Sequence, residues 1–165
     1  MKQKDNLEYH AVLNFIVEYN RTHKRQLHFI RQCKPRMPDA LCRLNKKEIG
    51  IEVAHTYGTG EEAAMRLGNR DMKDFPDKVH RERRCTPLDV RALGSLNEIL
   101  AKKATRTYDF IPTWLLVRNA FVLWSLTDYR KHKEEILIPD GHPFEQIWFF
   151  IDAPSVGRQG IMRLH

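Results

Sequence analysis

The sequence predicts an α/β domain built on one mixed sheet with helices against it, and three observations carry that prediction. An apolar stripe with helical spacing fills the first twenty residues, two segments joined by a short turn read as paired strands, and two aromatic-rich runs of strand length stand further along. At 165 residues the chain has room for one core rather than two.

The elements follow in chain order. Leu7, Ala11, Val12, Phe15, Ile16 and Tyr19 recur at the spacing of one helix face, which predicts an amphipathic helix over residues 5–20 begun near Asp5 or Asn6. Gln26 to Cys33 reads as a first strand with a weak pattern. Pro38 to Arg43 and Glu48 to His55, joined by Leu44-Asn45-Lys46-Lys47, read as a hairpin. In its second arm Ile49, Ile51 and Val53 alternate with Glu48, Gly50, Glu52 and Ala54, the period of a half-buried strand. Residues 58–94 break into charged sequence punctuated by Gly and Pro, a basic insertion with one helix around Glu61 to Leu67. Ser95-Leu96-Asn97-Glu98 has the form of a capping box, which starts the next helix at Ser95 and carries it to about Thr107. Ile111 to Val117 and Gln146 to Asp152 are strands of a covered sheet, and Gly160 to Leu164 is a short final strand. The order is helix, three strands, insertion, helix, strand, loop, strand.

Composition narrows the function classes. With 42% hydrophobic and 30% charged residues the chain is neither a disordered tail nor a membrane protein. The polar start MKQKDNLEY lacks the apolar centre of a signal peptide, so a cytoplasmic protein is expected, with no membrane partner. Cys33, Cys42 and Cys85 are odd in number and widely spaced, which points to reduced thiols. The eight histidines show no H-E-x-x-H spacing, and no zinc is assigned. Trp114, Trp124 and Trp148 sit in apolar runs and read as core. A formal charge of +7 and a pI near 9.5 suggest a polyanionic partner such as nucleic acid. Arg66, Arg70, Lys73, Lys78, Arg81, Arg83, Arg84 and Arg91 concentrate that charge in the insertion, with Arg81, Arg83 and Arg84 as the candidate phosphate contacts. Asp71, Asp74, Asp77 and Glu82 lie among them, and a plain solvated surface carries equal weight.

One constellation suggests chemistry. A turn centred between Asn45 and Lys46 opposes Asp39 to Glu52 on one face of the hairpin. Carboxylates roughly 5 Å apart repel each other unless water, a shared proton or a cation compensates, and a hard divalent cation is the simplest answer. A register slip of one residue reduces the pair to two unrelated acids. On the helix begun at Ser95, Lys103 falls in the middle of a stripe formed by Leu96, Ile99, Leu100, Ala104 and Thr107, while Lys102 points away. An ammonium there either snorkels to water or meets an anion. Glu8, one turn before Val12, faces either the same site or solvent.

Met37-Pro38-Asp39-Ala40 and Ile49-Gly50-Ile51-Glu52-Val53 resemble the two halves of the PD-(D/E)XK nuclease motif, and the element order resembles that superfamily's αβββαβ, restriction-endonuclease-like core. The resemblance implies a metal-dependent nuclease acting on nucleic acid, DNA in the first instance. It implies that Asp39 and Glu52 ligate Mg²⁺ or Mn²⁺ with help from the Val53 carbonyl, and that Glu8 corresponds to an acidic residue of the first helix. The family's lysine belongs two residues beyond the glutamate, where this chain has Ala54. Three explanations compete: the lysine has moved to a neighbouring helix, with Lys103 the natural candidate; catalysis is lost and nucleic-acid binding kept; or the family is a different one. His55 cannot substitute, because strand alternation turns it away from Glu52. A basic interaction protein is the third functional reading, and a homodimer is a possible assembly that the sequence does not decide.

Overall fold

The N-terminal stripe forms α1 (Gln3–His23), whose Ala11, Val12, Phe15, Ile16 and Tyr19 are buried. The helix runs three residues beyond the predicted end and stops at Lys24, which takes a left-handed backbone (φ 50°) in the position usually given to glycine. The computed structural model describes residues 3–33, 37–56, 87–110, 112–119, 123–153 and 158–165.

Among the described residues six strands form one sheet in the order β1-β2-β3-β4-β5-β6. β1 (Leu27–Gln32), β2 (Ala40–Leu44) and β3 (Lys47–Thr56) are antiparallel neighbours. β4 (Thr113–Asn119) pairs parallel with β3, β5 (Gln146–Ala153) parallel with β4, and β6 (Arg158–Arg163) antiparallel with β5. The hairpin register follows the predicted turn, with Leu44 opposite Lys47 and Ala40 opposite Ile51. Asn45 supplies the left-handed residue of the turn (φ 56°), a conformation that asparagine tolerates.

Alternation along the strands divides the core into two layers. Ile49, Ile51, Val53, Trp114, Leu116, Trp148 and Phe150 pack under α1. Ala54, Leu115, Val117, Ile147, Phe149 and Ile151 pack on the other face, under α2 (Leu88–Ala104) and α3 (Leu126–Lys131). Burial of each large apolar side chain contributes about 1.5–3 kcal/mol, so these clusters dominate the stability of the sheet. Trp114, Trp124 and Trp148 are all buried. Cys33 and Cys42 are free thiols, and burial pushes the Cys42 thiol up to about 12.

Three sequence expectations need correction. Ser95 does not start α2: the helix begins seven residues earlier at Leu88, after Pro87, and Ser95 sits in its interior. The apolar spacing continues backward through Leu93 and Ala92, both buried, and this packing outweighs a local capping signal. The insertion therefore ends before Pro87, and Arg91 is a buried helix residue rather than a surface contact. The predicted loop before β5 contains α3, and here a true capping box exists: the Ser125 side chain accepts from Asp128 N, and the Asp128 carboxylate accepts from Ser125 N. The Glu61–Leu67 helix lies outside the described residues. Among the described residues no helix is long and apolar enough to cross a membrane.

Candidate active site

β2 is much shorter than β3, and the site forms where it stops. The β2–β3 ladder ends at the pair Ala40–Ile51, so Asp39 and Glu52 occupy the next opposed positions. β3 continues to Thr56 alongside β4. Val53 lies beyond the ladder with its main chain turned toward the vacated side, and its polar groups need other partners. Its N–H donates to Asp39 Oδ2 at 2.8 Å, and its carbonyl accepts from Lys103 Nζ at 3.1 Å. Lys103 also donates to Glu52 Oε1 at 2.5 Å. The lysine near the C-terminal end of α2 thus reaches a carboxylate and a main-chain carbonyl of β3.

Burial makes these contacts consequential. The Lys103 and Glu52 side chains are only 12% and 7% exposed, so each would be a costly isolated charge without the other. Burial, then the neighbouring Glu52 and Glu8, push the Asp39 carboxyl up to about 7, against the opposing pull of the Val53 N–H and Lys103. Burial also raises Glu8, although Lys4 Nζ stands 3.1 Å from its Oε1. Glu8, Asp39 and Glu52 therefore lie close enough to act on one another, with the ammonium groups of Lys4 and Lys103 beside them.

The surrounding residues explain the arrangement. Ala54 shares the sheet face of Glu52 but is packed with Leu96 and Leu100, so a lysine there would lie under α2. An ammonium delivered by α2 itself avoids that burial. His55 falls on the α1 side by strand alternation, and burial followed by the charges of Arg118, Lys103 and Lys4 drives its pKa down to about 4. Gly50 provides a bare patch: a Cβ there would stand 2.5 Å from Pro38 Cγ and 3.1 Å from Phe110 Cδ1. Pro38 rests on that patch and sets the entry of Asp39.

The predicted residues Glu8, Asp39, Glu52, Val53 and Lys103 come together, while Arg81, Arg83 and Arg84 lie outside the described residues. Three neighbours escaped the sequence reading. Lys4 carries the only available signal, standing one helical turn before Glu8. Arg106, with its NH1 4.0 Å from Glu52 Oε1, and Tyr108, whose phenol is raised by burial and then by Glu52, lie beyond the end of α2 at Ala104, whereas the sequence pattern carried that helix to about Thr107.

Among the described residues no group of three or more His, Cys, Asp or Glu side chains is arranged to hold a metal ion. The donors present are two carboxylates and the Val53 carbonyl, an all-oxygen set that suits a hard cation retaining several waters, such as Mg²⁺ or Mn²⁺. Asp39, held near 7 among like charges, is the group such a cation would relieve, and in that sense the residues fit one. No protein-family model, curated protein or solved structure matches the chain, so the pocket itself carries the functional argument.

Proposed function

We propose that the protein is a divalent-metal-dependent phosphodiesterase that cleaves nucleic acid, DNA in the first instance, on a restriction-endonuclease-like form of this α/β architecture. The observation that carries the reading is Lys103. The PD-(D/E)XK resemblance lacks its lysine at Ala54, and an ammonium from α2 stands 2.5 Å from Glu52 Oε1 instead. Among the described residues the order α1, β1, β2, β3, α2, β4 supports the same reading, being that of the αβββαβ core.

Asp39, Glu52 and the Val53 carbonyl are the groups that would hold Mg²⁺ or Mn²⁺. Bound there, the cation would polarise a phosphoryl oxygen and lower the pKa of a coordinated water. Lys103 keeps Glu52 oriented and places a positive charge beside the position where charge develops on phosphorus. Glu8 keeps the Lys4 ammonium at the pocket.

The test is incubation of the purified protein with supercoiled plasmid and Mn²⁺, with EDTA as control. Wild type and Lys102→Ala should nick or linearise the plasmid, whereas Lys103→Ala and the length-preserving Lys103→Met should lose at least about 100-fold in rate with DNA binding little changed. Equal cleavage by the Lys102 and Lys103 variants would remove the lysine from the mechanism. No Mn²⁺-dependent cleavage by wild type would defeat the hydrolase reading.

A further inference from the structure

Lys4 and Arg106 approach the pocket from opposite layers of the molecule. Lys4 belongs to the first turn of α1, and Arg106 follows α2 on the other side of the sheet. Both side chains are largely in water, 70% and 52% exposed, yet their charged ends stand 3.1 Å from Glu8 Oε1 and 4.0 Å from Glu52 Oε1. Exposed ion pairs of this kind contribute little to stability, so folding alone does not account for two of them at one pocket.

Arg106 is the more telling of the two. At 4.0 Å it is beyond hydrogen-bond distance from a carboxylate oxygen that Lys103 already engages at 2.5 Å. Its guanidinium therefore stands at the pocket with its donor fork uncommitted to Glu52, the geometry suited to two oxygens of one phosphate. A site holding two buried acids, Glu8 and Glu52, and the half-buried Asp39 repels a polyanion unless its rim is positive. Lys4 and Arg106 supply that rim on both sides of the carboxylates.

We infer that Lys4 and Arg106 form a two-sided phosphate clamp, each holding a backbone phosphate of the nucleic acid on its own side of the Asp39–Glu52 pocket. The inference rests on the hydrolase reading only for the identity of the polyanion; the clamp is a binding device and is tested as one. The experiment is fluorescence anisotropy of a fluorescein-labelled DNA duplex with Ca²⁺ as the divalent ion, over a salt series from about 50 to about 200 mM. Lys4→Gln and Arg106→Gln should each flatten the slope of log affinity against log salt by about 0.9, and the double variant by about twice that. Arg106→Lys should keep the slope, Lys102→Gln should match wild type, and thermal melts should show every variant folded. Folded Lys4→Gln and Arg106→Gln proteins with the wild-type slope would overturn the clamp, as would wild-type binding with no salt dependence. If the slopes fall as expected but plasmid is never cut with Mn²⁺, the clamp stands and the hydrolase reading fails. If plasmid is cut and the slopes do not change, the reverse holds.

Discussion

Pro38 stands where a side chain on Gly50 would go, and that contact joins packing to the position of Asp39. A Cβ 2.5 Å from Pro38 Cγ cannot be accommodated without moving the proline, and the next residue is the acid that binds Val53 N. Gly50→Ala should therefore destabilise the protein by about 1–3 kcal/mol, as overpacking does, measured as a lower denaturant midpoint with an unchanged m-value. A fully stable Gly50→Ala protein would mean that Pro38 yields freely and does not set Asp39. Lys103 illustrates a different residue-scale rule. A charge on an apolar helix stripe needs a partner, and Glu52 Oε1 together with the Val53 carbonyl provides two.

At the scale of elements, two serines with similar local sequence have different roles. Ser125 caps α3 and exchanges hydrogen bonds with Asp128, whereas Ser95 lies inside α2. Ser125→Ala should cost about 1 kcal/mol, and Ser95→Ala should cost clearly less, because alanine is the better residue in a helix interior. Paired chemical denaturation curves measure the difference, and equal losses would contradict the assigned start of α2. The early start also decides the reach of that helix. Beginning at Leu88 and anchored by Leu93, Leu96 and Leu100, it extends to Ala104 with Lys103 in its last turn against β3.

For the whole molecule, the pocket's electrostatics set a pH dependence of stability. Burial and the neighbouring Glu52 and Glu8 push the Asp39 carboxyl up to about 7 in the folded chain from 3.8 for an ordinary aspartate, so between these values the folded state holds a proton that the unfolded chain has released. Stability therefore falls as pH rises through about 4 to 7, by at most ~1.4 kcal/mol per unit, and levels off above. Glu8 acts in the same direction, being raised as well. In EDTA, Asp39→Asn should lack the Asp39 part of this slope, so its stability relative to wild type should increase steadily across that window. Denaturation at several pH values reads the difference, and parallel curves for the two proteins would show that Asp39 ionises normally. A divalent cation that binds the folded pocket should raise the melting temperature of wild type at pH 8 and leave Asp39→Asn unchanged.

What the sequence determined by itself was periodicity and register. The α1 stripe, the alternation of β3 and the two-residue turn at Asn45-Lys46 are local patterns. They were enough to oppose Asp39 to Glu52 and to put Lys103 on the buried side of its helix, because strand period and helix period decide faces without reference to the rest of the chain. Tertiary structure alone decided the start of α2, where core packing of Ala92 and Leu93 overrode the Ser95 signal, and the short helix α3. It also brought Lys4 and Arg106, about a hundred positions apart in sequence, to the rim of one pocket. Nothing local encodes that proximity: it follows from α1 and α2 lying on opposite faces of the sheet, with the start of α1 and the end of α2 beside the edge that β2 leaves open.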